Sequence, residues 1–79
     1  MPTHTNPITV DPEALRAARN RRQLTQTEAS RQIGISQPVL SQFETGRAQP
    51  SLATFFSLAL LYHVDAYSLI REVPAESAA

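Results

Sequence analysis

Gln37, Ser41 and Gln42 carry amide and hydroxyl groups of the kind that can pair with the edges of bases. Their spacing sets them on one arc of a helix. A glutamine amide presents a donor beside an acceptor and pairs bidentately with adenine N6 and N7. A serine hydroxyl pairs with several edges. Pro38, on the same arc, offers an apolar surface to a thymine methyl. Gln26 falls in the first turn of the preceding helix, where end amides and a side-chain amide can meet one phosphate together. Arg47 follows Gly46 in the next loop, beside the path of a bound duplex backbone. Ser36 and Thr45 are further phosphate candidates, with Arg21, Arg22 and Arg31 weaker ones. Each has a plainer reading: a solvated helix face, a surface glutamine or a surface arginine.

These groups need a scaffold. Asp11 is a good N-cap, Pro12 suits a first helical position and Glu13 complements the dipole, so a first helix is predicted over about Asp11 to Arg22. Leu15, Ala18 and the stems of Arg19 and Arg22 face inward. Thr25-Gln26-Thr27-Glu28 fits a capping box that opens a second helix, with Leu24, Ala29 and Ile33 on its buried side. Gly34 is its left-handed stop, and Ile35 locks the turn to the core. Ser36 caps a third helix from Gln37 to about Thr45, where Pro38 costs little in the first turn. Val39, Leu40 and Phe43 form its core side and Gly46 ends it. Pro50-Ser51 opens a fourth helix, Leu52 to His63, and Asp65 caps a last short one through Arg71.

The expected class is therefore all-α with five helices in one domain over residues 11–72. A flexible arm over residues 1–10 and a tail over 73–79 flank it. Ile8-Thr9-Val10 is the one segment with the composition of a short edge strand.

The 79 residues allow one small core. Without cysteine there is no disulfide framework and no thiolate metal site, and His4 and His63 alone make no metal centre. No cofactor is called for. No apolar run nears the ~20 residues of a membrane helix, and the first ten residues lack the pattern of a signal peptide, so the expected compartment is the cytoplasm. Net charge is zero, yet the segment from Arg16 to Arg47 carries +4, with acidic residues on both sides. That layout suits one face turned to DNA. All seven basic side chains are arginine, whose fork fits phosphate and guanine better than lysine does.

Glu44 follows Phe43 at the inner end of the third helix, and Arg19 is a plausible partner from the first. A buried pair would fix the angle between these helices, and losing one member would cost about 3–5 kcal/mol. An exposed pair would be worth under ~1 kcal/mol. On the fourth helix Phe55, Leu58, Ala59 and Tyr62 form one apolar face. Leu52, Phe56 and Leu60 form a second stripe, read either as a wider core face or as a homodimer contact.

The chain resembles the helix-turn-helix domains of the Cro/cI phage-repressor class, the XRE family. The carriers are Leu15-Arg16 and Arg19, Leu24-Thr25-Gln26, Gly34-Ile35-Ser36, Phe43-Glu44-Thr45-Gly46-Arg47, Pro50-Ser51, Leu58-Ala59 and Val64. The similarity covers about Leu15 to Ile70 and implies a lambda-repressor-like fold. It implies that Gln26 clamps a phosphate, that Gln37, Pro38, Ser41 and Gln42 lie at base-reading positions, and that Arg19 and Glu44 form an interior ion pair. It also implies dimers on inverted repeats. The chain departs from the pattern at Ala29-Ser30, where the family has Leu-Ala and where Phe55 or Phe56 must fill the space. It departs again at Pro38 and at His63, which stands where a helix-ending glycine is common.

Together these readings favour a dimeric, sequence-specific regulator of double-stranded DNA, more a repressor than an activator, with no small-molecule ligand. The alternatives are a protein-interaction adaptor or an antitoxin module on the same fold. An enzyme is disfavoured, because no nucleophile–base pair, metal set or phosphate loop is present.

Overall fold

A computed structural model describes residues 6–74. In chain order it contains strand β1 (Ile8–Val10), helices α1 (Pro12–Arg21), α2 (Gln26–Ile33), α3 (Gln37–Thr45) and α4 (Leu52–Tyr62), a 3-10 turn (Ala66–Leu69) and strand β2 (Ile70–Glu72). The expectation of five helices in an all-α class is corrected on two counts. The described residues hold four α-helices, and a two-stranded sheet accompanies them. Asp65 does cap the last helical segment, by accepting from the Tyr67 amide. One 3-10 turn follows and the chain then extends, so the segment does not reach Arg71 as a helix.

The reason for the extension is a partner distant in sequence. β1 and β2 are antiparallel, with Ile8 opposite Glu72, Thr9 opposite Arg71 and Val10 opposite Ile70. The Val73 amide donates to the Pro7 carbonyl (2.7 Å) and the Asp11 amide to that of Leu69 (2.8 Å), so the pairing runs past both strand ends. Residues 8–10, the end of the expected arm, are thus a paired strand. Residues 1–5, including His4, and 75–79 lie outside the described residues.

Local signals set every helix boundary. The Asp11 carboxylate accepts from the amides of Glu13 and Ala14. Thr25 and Glu28 complete a reciprocal capping box, and these hydrogen bonds, first that from the Thr25 backbone, hold the Glu28 carboxyl below its ordinary range. Ser36 and Ser51 cap α3 and α4. Gly34 and Gly46 close α2 and α3 in the left-handed region, at φ 79° and 78°. His63 does the same for α4 at φ 56°, a conformation with a steric cost for any residue but glycine.

The core is Leu15 and Ala18 of α1, Ala29 of α2, Leu40 and Phe43 of α3, Phe55, Leu58, Ala59 and Tyr62 of α4, and Leu69. α1 packs on α3 and α4, and α2 packs on both of these as well. Of the two phenylalanines expected to compensate for the small Ala29, Phe55 is buried in the same core and Phe56 is half exposed. Val39 also departs from expectation: α3 turns Leu40, Phe43 and Glu44 inward and leaves Val39 at the surface. The burial of Glu44 rotates the inward stripe by one position. Arg22, expected with its stem inward, is exposed and makes one long contact, Nε to the Leu61 carbonyl at 3.4 Å.

Candidate nucleic-acid interface

The α2–turn–α3 unit is built from short-range instructions. After Ile33, Gly34 reverses the chain and Ile35 donates its amide back to the Ser30 carbonyl (3.0 Å). A Cβ on Gly34 would meet nothing within 4 Å, so the position needs glycine for its dihedral angle and not for space. The half-buried Ile35 pins the turn to the core. Ser36 accepts from the Val39 amide and starts α3. At the far end the Arg47 amide donates to the Gln42 carbonyl (2.9 Å), which fixes the loop that carries its side chain.

This frame leaves one arc of α3 open. Gln37, Pro38, Gln42 and Thr45 are exposed, Ser41 is half buried, and Ser36 and Arg47 flank them, both exposed. The five side chains predicted on the outer arc therefore lie together on the surface.

Beneath the arc lies an ion pair. Arg19 Nε donates to Glu44 Oε2 at 2.7 Å and the far end of the guanidinium to Oε1 at 3.0 Å, a two-pronged contact. The remaining terminal nitrogen donates to the Leu24 carbonyl at 2.8 Å. The Arg19 side chain is 11 % exposed and that of Glu44 1 %. The hydrogen bond that Arg19 donates to Glu44 is the main cause that raises the Arg19 pKa, against the opposing effect of burial.

The pair continues outward. Gln26 Nε2 donates to Glu44 Oε1 at 3.0 Å, and Gln37 Nε2 donates to Gln26 Oε1 at 2.6 Å. The direction of this chain is fixed by chemistry. A carboxylate only accepts, so Gln26 must turn its nitrogen inward and its oxygen toward Gln37. Gln37 must then offer its own nitrogen to Gln26. Its oxygen and a second N–H stay unspent, which is the donor–acceptor pair that adenine requires. Gln26 keeps one N–H for an outside acceptor. This link was not anticipated from sequence. The only signal was that residues 26 and 37 each open a helix on either side of a three-residue turn.

The other phosphate candidates differ in what they can donate. The Thr45 hydroxyl donates to its own helix, at the carbonyls of Ser41 (3.1 Å) and Gln42 (3.3 Å), so its one proton is engaged. Ser36 accepts through its oxygen and keeps its proton free. Arg47 is exposed at the C-terminal end of the arc. Among the described residues no group of three or more metal-ligating side chains occurs, and no helix is long and apolar enough to cross a membrane.

Known proteins place this geometry in context. Residues 15–69 match the family model described as helix-turn-helix. No curated protein matches the chain in sequence. A candidate DNA-binding protein from Bacteroides fragilis superposes with a TM-score of 0.71 at 25 % identity, over 82 % of this chain and 100 % of that one. The restriction-modification controller protein C.AhdI from Aeromonas hydrophila gives 0.67 at 21 %, over 72 % and 86 % of the two chains. A hypothetical transcription factor, NHTF, from Neisseria gives 0.65 at 22 %, over 99 % and 93 %. The last two likenesses establish the fold; the matched family is one of DNA-binding regulators and not of enzymes. From Leu15 to Leu69, with its capped turn and exposed third helix, the chain belongs to the helix-turn-helix family of the Cro/cI (XRE) type.

Proposed function

We propose that this protein is a sequence-specific, double-stranded DNA-binding transcriptional regulator of the cytoplasm, acting as a dimeric repressor at an inverted-repeat operator. The observation that carries this reading is the polar chain from the buried Arg19–Glu44 pair through Gln26 to Gln37. It holds a base-reading amide in a set orientation at the start of an open helix. Order at the point of contact reduces the side-chain entropy lost on binding.

In this reading Gln37 and Gln42 read base edges, with Pro38 and Ser41 filling the groove between them. Gln26, Ser36 and Arg47 hold phosphates, with Arg22 as a weaker candidate. Thr45 joins only by releasing its helix carbonyls. Two recognition helices would enter successive major grooves about 34 Å apart.

Selection of bound sites from a random duplex library tests the proposal. It should return two half-sites in inverted orientation. On the selected site, Gln37→Ala and Gln42→Ala should each lose about 1–3 kcal/mol of discrimination at one base position. Arg47→Ala should weaken all duplexes alike and reduce the salt slope by about one. No enriched sequence, at low or moderate salt, would favour an adaptor role instead.

A further inference from the structure

The outer surface of α4 is apolar and uncovered. Leu52, Phe56 and Leu60 are 72, 49 and 77 % exposed. They recur every four residues and so form one straight ridge. Beside the ridge lies a hollow of ≈ 360 Å³ between α4, β1 and the 3-10 turn, walled by Ile8, Ala66, Tyr67 and Ile70 and floored by Phe55. No residue of α3 lines it.

We infer that this face is a twofold interface for a second copy of the chain, in which the two α4 helices cross antiparallel with Phe56 on the axis. The inference rests on the dimeric reading above and supplies its contact surface. Three observations select a second copy as the occupant. First, the ridge is symmetric about Phe56. Reversing one copy sets Leu52 of each against Leu60 of the other and Phe56 against itself, the self-complementarity that a twofold axis demands. Second, size agrees. With Tyr67 and Ile8 at 81 and 61 % exposure, the five side chains expose on the order of 600 Å², near the ~800 Å² each partner gives to a stable interface. Third, Phe56 is already positioned. Its ring lies edge-on to that of Phe55 with centroids 5.5 Å apart. Ridges of the i±4 kind pack into one another readily, and here each copy's ridge borders a hollow.

Sedimentation velocity of the full chain and its variants tests this arrangement. The wild type should sediment as a dimer at tens of micromolar. Leu60→Glu and Leu52→Lys should each raise the dimer dissociation constant about 30-fold or more. Both positions are exposed, so the far-UV circular dichroism of each variant should stay that of the folded wild type, with Tm lowered only by the stabilisation that association supplied. Mixing the two variants should restore a dimer, because the antiparallel register sets the new lysine of one against the new glutamate of the other. A monomeric wild type overturns the inference, whether the face stays bare or takes up an apolar probe such as anilinonaphthalene sulfonate. So does a Leu60→Glu protein that remains dimeric. A mixture that stays monomeric overturns the register.

Failure of the DNA reading looks different. A wild-type dimer that selects no duplex sequence would sink that reading and leave the interface standing. A monomer that selects single half-sites would overturn the interface and the dimeric part of that reading, and leave sequence-specific DNA binding standing.

Discussion

Replacing Arg19 with alanine should bring this protein close to unfolding. The guanidinium supplies two of the three hydrogen bonds to Glu44, whose side chain is 1 % exposed. With Arg19 gone, the carboxylate keeps only the Gln26 amide. Truncating one member of such a pair costs about 3–5 kcal/mol, chiefly because the other charge is left buried and alone. A chain of 79 residues has a total stability of roughly 4–12 kcal/mol at ~0.05–0.15 kcal/mol per residue. Glu44→Ala should cost less than Arg19→Ala, since the orphaned guanidinium retains the Leu24 carbonyl and reaches solvent. The combined Arg19→Met, Glu44→Leu protein should fall within about 2 kcal/mol of wild type, because neither charge remains to be desolvated. Urea unfolding followed by far-UV circular dichroism gives the stabilities of all four proteins. The doubly substituted protein also separates stability from recognition. It should fold, yet Gln26 has lost the acceptor that orients it, so discrimination at the base read by Gln37 should drop about tenfold. Single substitutions that each cost under ~1 kcal/mol would show that the pair behaves as a solvated one. Full discrimination in the folded double variant would show that Gln37 is aligned by something else.

Two further outcomes follow from other parts of the fold. His63 caps α4 at φ 56° and ψ 46°; glycine there relieves about 1 kcal/mol of steric cost and gives back part of it as unfolded-state entropy, so His63→Gly should raise Tm by a few degrees. A lower Tm would mean that the imidazole makes a stabilising contact. Tyr62 is buried, which is the main reason its pKa is pushed up from 10.0 to about 12. A raised pKa means that the folded state holds its proton longer than the unfolded chain. Tyr62 therefore contributes full stability below pH 10, and that contribution, roughly 2–3 kcal/mol, is lost as pH rises from about 10 to about 12. Tyr62→Phe should remove this alkaline limb. Tyrosinate absorbance that shows Tyr62 ionising as a free tyrosine in a still-folded protein would contradict the assignment.

The helices were legible in the chain because their boundaries are written locally. Asp11, the Thr25–Glu28 box, Gly34, Ser36, Gly46 and Ser51 each act within a few residues, and each sits where its chemistry places it. The sheet was only half legible. Ile8-Thr9-Val10 has strand composition, but Ile70-Arg71-Glu72 becomes a strand only because β1 lies beside it, and no local pattern encodes a partner some sixty positions away. The Arg19–Glu44 pair could be foreseen from charge and register. The mistaken inward placement of Val39 shares its cause with that success. Hydrophobicity alone favours Val39 over Glu44 for the interior, whereas a carboxylate with three donors is buried without penalty enough to exclude it. The bond from Gln37 to Gln26 depends on how two helix starts meet across a turn, which spacing does not specify.

The pairing of β1 with β2 also brings together the routes by which the chain enters and leaves the body. Pro7 and Val73 sit side by side across one hydrogen bond, within the roughly 5 Å that separates neighbouring strands. Anything fused ahead of one or behind the other would emerge at a single spot, and a linker of a few residues would suffice to join them into a ring. Such a closed chain could be reopened in a surface loop to give a circular permutant with the same architecture.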